Sequence, residues 1–65
     1  MRPLPLTSRE HEVVLLVAEG LTNADIARQL WISPGTVRRH LENVFAKLDV
    51  PNRVALAAVV HRSTE

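Results

Sequence analysis

Hydrophobic residues recur at helical spacing in four stretches of this chain, each bounded by residues that start or stop helices. In the first, Val13, Leu16 and Val17 share one face, and Val14 and Ala18 widen it. Thr7 precedes Glu10 by three residues, the spacing at which a hydroxyl and a carboxylate satisfy each other's backbone amides, so a helix is predicted from Ser8 to Glu19. Gly20 is placed to supply its left-handed cap. The second stretch opens on Thr22, with Asp25 in its first turn and Leu21 able to pack on Ile26, and should end near Leu30. The third opens on Ser33 with Pro34 at the first helical position, and Val37, Leu41, Val44, Phe45 and Leu48 form a stripe about 100° wide. This predicts a helix over 34–48. Asp49-Val50-Pro51 should end it, because the residue before a proline avoids the helical region, and Pro51 suits the first turn of a fourth helix over 51–60. The expected fold class is all-α, a compact four-helix domain.

The second and third helices have little more than Trp31 and Ile32 between them. Such a turn is too tight for antiparallel neighbours, so the pair should cross steeply as a helix-turn-helix. Sixty-five residues make one domain and leave little room for an enclosed catalytic pocket, which disfavours an enzyme. With 46% hydrophobic and 23% charged residues the chain has the composition of a folded domain. Cysteine is absent, which excludes disulfides, thiolate metal sites and a cysteine nucleophile. The longest apolar run, Val13 to Ala18, is too short to span a bilayer, and Met1-Arg2-Pro3-Leu4-Pro5 lacks a signal peptide's apolar stretch. The expectation is a soluble, cytoplasmic protein with no membrane partner. Pro3 and Pro5 fit the end of a linker, so residues 1–6 are read as a linker or N-terminal extension, 7–62 as the domain and 63–65 as a tail.

The net charge of +1 says less than its distribution. Between Ser33 and Leu48, the three cations Arg38, Arg39 and Lys47 face one carboxylate, Glu42. Opposite the apolar stripe of that helix lie Gly35, Arg39, Glu42, Asn43 and Ala46, with Arg38 on one flank and Thr36, His40 and Lys47 on the other. A guanidinium pairs bidentately with guanine, a carboxamide with adenine, and a carboxylate accepts from cytosine. Arg38 and Glu42 lie one helical turn apart, as do Arg39 and Asn43, so these four are candidates for reading base edges of double-stranded DNA. They also fit a solvated strip, since such pairs form on ordinary helices for roughly a few tenths of a kcal/mol. The tight turn in front of them favours DNA.

Phosphates are bound at helix N-termini, where unpaired amides and the positive dipole end point outward. Thr22 and Asn23 open one such end and Ser33 and Thr36 another, although Thr22 and Ser33 are also explained as caps. Lys47 is a candidate for a further backbone contact or for a dipole partner, and His40 for a phosphate contact or for packing beside the turn. His11, His40 and His61 fall on three different helical stretches without i, i+4 pairing, so no metal site, general base or cofactor is expected. No glycine-rich phosphate loop and no serine in a nucleophile context occurs. The fourth helix has Leu56 and Val60 on one face, Val54, Ala58 and His61 on another, and almost no charged side. It needs cover twice: one side by the core, the other by the same helix of a second molecule or by an upstream domain. Val54, Ala57, Ala58 and His61 are accordingly candidates for dimerisation.

The order of residues resembles the C-terminal DNA-binding domain of LuxR/FixJ/NarL-type bacterial transcription regulators. The resemblance rests on Leu6-Thr7 with Arg9-Glu10, Glu12-Val13-Val14, Ala18-Glu19-Gly20, and Thr22-Asn23 followed by Ile26-Ala27 and Leu30. It continues through Ile32-Ser33, Thr36-Val37-Arg38 with His40, Lys47-Leu48, Val50 and Asn52-Arg53. It implies a third helix in the major groove, a fourth that dimerises, paired half-sites, and regulation of transcription as the effector domain of a response regulator or ligand-responsive regulator. An upstream regulatory domain and RNA polymerase are the further partners it implies. In the family the positions of Thr36, Val37, Arg38 and His40 lie at the DNA surface, which adds Val37 to the phosphate-binding candidates. Glu42 departs from relatives that are polar or basic there, Trp31 from a usually smaller turn residue, and Leu56 from a usual alanine. Two other readings stay open: the promoter-reading domain of a sigma factor, and a protein-interaction module whose DNA affinity would not fall steeply with salt.

Overall fold

The first three helices each begin on a hydroxyl. Thr7 Oγ1 accepts from the Glu10 amide at 3.1 Å while the Glu10 carboxylate accepts from the Thr7 amide at 3.0 Å. Thr22 Oγ1 accepts from the Asp25 amide and Ser33 Oγ from the Thr36 amide, both at 3.1 Å. Each bond satisfies an amide that the first helical turn leaves without an internal partner. The computed structural model describes residues 5–64, and side chains over 5–62. Its helices are α1 (Ser8–Ala18), α2 (Asn23–Leu30), α3 (Pro34–Leu48) and α4 (Arg53–Thr64), with no strand among the described residues.

These same three helices also end alike, on a residue in the left-handed region. After α1 this is Gly20, at φ 90°, with the Gly20 amide donating to Val17 O and the Leu21 amide to Leu16 O. This closes α1 one residue before the expected Glu19, which serves as its cap. After α2 it is Trp31 (φ 58°) and after α3 it is Asp49 (φ 53°), with Ile32 and Val50 donating back to Ala27 O and Phe45 O. A side chain in this region costs roughly 1–2 kcal/mol, which packing on both sides of each turn must offset.

The fourth helix differs from expectation at both ends. Pro51 stands outside it, and Asn52 caps it: Asn52 Oδ1 accepts from the Ala55 amide at 2.9 Å and Asn52 O from Leu56 at 3.1 Å. A side-chain acceptor at the residue just before the first turn outcompetes the preference of proline for that turn. At the other end α4 runs through Thr64, past Val60 and into the expected tail. Residues 1–4 of the expected extension, and residue 65, lie outside the described residues.

The helices close on one core of Val13, Val14, Val17, Ile26, Ala27, Val37, Leu41, Val44, Leu56 and Val60. α1 packs against all three of the others and α2 against α3. Leu6, Leu16, Leu21, Leu30, Ile32, Phe45, Leu48 and Val50 seal its edges, so the residues flanking each turn are anchored in the same core as the helices. That anchoring holds α2 and α3 in one rigid relation across the three residues 31–33.

Candidate nucleic-acid interface

Burying Val37, Leu41 and Val44 turns the opposite side of α3 to solvent. Arg38, Arg39, Glu42 and Asn43 are all exposed there, along with Gly35 and Ala46, which add no bulk. With its side chains the helix is about 10–12 Å across, which matches the width of a B-DNA major groove, and from Gly35 to Asn43 its exposed side extends about 12 Å along the axis. Arg39 and Asn43 have no partner among the described residues, so their donors are available to a ligand. Arg38 and Glu42 face each other at 3.9 Å with their side chains 77% and 65% exposed. That is an ion pair without a hydrogen bond, easily exchanged for other partners.

The N-termini of α2 and α3 supply a second kind of chemistry. Thr22 and Ser33 are exposed, Asn23 and Thr36 half-buried. The Ser33 and Thr36 hydroxyls lie 2.9 Å apart, so one of their two hydrogens bridges them and the other remains to donate outward. At α2, hydrogen bonding from the Thr22 side chain and then from Arg28 holds the Asp25 carboxyl below the usual carboxylate range. Arg28 bonds Asp25 and so offsets a negative charge beside an anion-seeking helix end. His40 is half-buried on the flank of α3.

Two of the residues expected to meet phosphate are engaged elsewhere. Val37 is fully buried and its amide donates to Ser33 O at 3.1 Å, so it anchors α3 in the core and presents nothing to a ligand. The Lys47 ammonium lies 2.6 Å from Glu10 Oε1. Glu10 is the buried charged residue of the described core, and the hydrogen bond from Lys47, with the backbone bond from Thr7, lowers its pKa against the opposing effect of burial. Lys47 thus neutralises a carboxylate inside the fold.

On α4, Val54 is 80% exposed, Ala58 and His61 are exposed, and Ala57 is half-buried, while Leu56 and Val60 face the core. Arg53 had no expected part in the site. Its guanidinium donates to Asn23 Oδ1 at 2.6 Å and to Leu21 O at 2.7 Å, tying the start of α4 to the start of α2. No local pattern could have revealed contacts between residues 30 and 32 apart in sequence. Among the described residues no three metal-ligating side chains gather, and no helix is long and apolar enough to cross a membrane.

Residues 4–60 match the family of bacterial regulatory proteins named for luxR, also called GerE. The chain belongs to this luxR family. It is therefore a DNA-binding domain of transcription regulation, a family that is not an enzyme class. Among its relatives are the transcriptional regulatory protein LiaR of Bacillus subtilis, 45% identical over 58 residues, and the monoamine regulon transcriptional regulator of Klebsiella aerogenes, 52% identical over 56. These matches cover 89% and 86% of this chain but 28% and 25% of the relatives. An HTH-type transcriptional regulator of Mycobacterium tuberculosis is 57% identical over 51 residues, which is 78% of this chain and 6% of that protein. The luxR-family domain thus spans a minor part of each of these relatives.

Proposed function

We propose that this domain binds operator DNA with α3 in the major groove, where Arg38, Arg39, Glu42 and Asn43 read base edges. The observation that carries this reading is the outer side of α3: exposed, free of bulk at Gly35 and Ala46, and furnished with unpaired donors at Arg39 and Asn43. Thr22, Asn23, Ser33, Thr36 and His40 contact the phosphates on either side. Val37 is buried in the core and Lys47 is paired with Glu10, so neither takes a phosphate. Val54, Ala57, Ala58 and His61 form the contact between two copies on paired half-sites, because an exposed valine beside small residues lets two helices approach closely. Within a longer cytoplasmic protein the domain serves as the effector part of a response regulator or ligand-responsive regulator, with an upstream regulatory domain and RNA polymerase as further partners.

An NMR titration of the labelled domain with random-sequence duplex, at low salt and then at rising salt, tests the DNA surface without knowledge of the operator. Shifts at Thr22, Asn23, Ser33 and Thr36 to Asn43 that fade with salt are expected. Shifts confined to α4, or none at all, would overturn the assignment of the surface and leave a protein-binding module.

A further inference from the structure

The contact between Arg53 and Asn23 bears on how the start of α2 meets DNA. A carboxamide has one end that accepts and one that donates, and rotation by half a turn about its terminal bond exchanges them. Asn23 Oδ1 faces the Arg53 guanidinium at 2.6 Å, and the same guanidinium reaches Leu21 O at 2.7 Å. The planar fork is therefore anchored at two points, one on each side of the cap residue Thr22. With Oδ1 held inward, Nδ2 is the end left over. Nδ2 has no acceptor in the described protein, and no buried side-chain nitrogen or oxygen there lacks a partner, so Nδ2 is open to water. Its hydrogens lie at the start of α2, where the amides and the helix dipole already favour an anion. The opposite rotamer would offer a phosphate an oxygen and repel it.

We infer that Arg53 is a positioning residue for DNA binding: it locks the Asn23 carboxamide with its donors outward, so that Nδ2 hydrogen-bonds a backbone phosphate at the start of α2. This rests on the DNA surface proposed above. Arg53 itself touches no phosphate, since two arms of its guanidinium are turned to Asn23 and Leu21. The fork geometry is what matters. A lysine keeps the charge near α2 but has a single ammonium that cannot span both acceptors.

The test measures random-duplex affinity across a salt series for the unaltered domain, Arg53→Lys, Asn23→Ala and the double variant, with thermal unfolding of each recorded alongside. Arg53→Lys and Asn23→Ala should each weaken binding about 10-fold, the scale of one hydrogen bond to a charged group, and the double variant should be no weaker than either. The slope of affinity against salt should stay unchanged in Arg53→Lys, because no cation has left a phosphate. In the free protein the side-chain amide signals of Asn23 should move toward those of a solvated asparagine in Arg53→Lys. Additive losses in the double variant, or an Arg53→Lys domain that unfolds earlier yet binds as before, would overturn the inference. Failure of the unaltered domain to bind duplex would remove the DNA reading and this inference together. If Asn23→Ala binds random duplex normally while Thr36→Ala does not, the DNA reading stands and this inference alone falls.

Discussion

Helix α3 takes part in two pairs of opposite charge in very different surroundings. At its C-terminal end Lys47 meets Glu10, 37 residues away in sequence, at 2.6 Å, with side chains 39% and 5% exposed. On its outer side Arg38 and Glu42 stand four residues apart at 3.9 Å and mostly in water. In the first pair the buried Glu10 has little alternative to Lys47, and it also closes the capping box of α1, so one carboxylate fixes where α1 starts and how α3 lies against it. The second pair is adjustable, since water and salt compete for both partners and side-chain entropy opposes holding them together. Electrostatics thus serves architecture at one end of α3 and leaves groups available for recognition along its side.

The two pairs should differ most in what their loss costs the fold, beginning with Glu10. Glu10→Ala removes the capping-box acceptor and strands Lys47, and should cost about 2 kcal/mol, less than a fully buried pair because the ammonium can turn to water. Thermal unfolding should show the midpoint falling by roughly 10 °C, whereas Arg38→Ala should hardly move it. The pH dependence has a definite sign. The Glu10 carboxyl is held below its ordinary value of 4.5, so its contribution to stability is fully present above that pH and is lost as pH falls through the lower folded value. Glu10→Gln should flatten that part of the acid unfolding curve, leaving the contribution of the same sign from Asp25. An acid curve unchanged by Glu10→Gln would mean that the Lys47 pairing contributes nothing to folding.

Of similar or smaller size is the division of labour on the outer side. Arg39→Ala should forfeit about 1–3 kcal/mol of discrimination at one base pair, while Thr36→Ala should weaken specific and random DNA alike. Competition binding on a selected operator separates the two, and equal losses on both kinds of DNA for both variants would refute the split between base and phosphate contacts. Smallest of all is the coupling between Arg38 and Glu42. A double-mutant cycle on stability should return about 0.3 kcal/mol, and a value above 1 kcal/mol would place this pair in the same class as Glu10 and Lys47.

What could be read from the sequence divides by distance along the chain. The starts of α1, α2 and α3 and the end of α3 were legible because each is set by residues within one turn: Thr7 with Glu10, Thr22 with Asp25, Ser33 with Pro34, and Asp49. So was the outward side of α3, since its stripe of Val37, Leu41 and Val44 leaves no other side for solvent. The start of α4 is local too, yet two start signals stand side by side there, and Asn52 prevails over Pro51. Val37 was drawn to the DNA surface by resemblance, while its burial follows from the same stripe that turns Arg39 outward.

Residues close along the chain thus fix four helices, the tight turn between α2 and α3, and which residues α3 shows to solvent, since periodicity and caps act between neighbours. The tertiary structure alone decided where Lys47 and Arg53 would spend their charges. Each had water as an alternative partner, and the choice of Glu10 for one and of Asn23 with Leu21 for the other was made by packing that brings residues 30 or more apart within hydrogen-bond reach. A cation's partner is a matter of distance and dielectric, and neither exists until the helices have closed on their core.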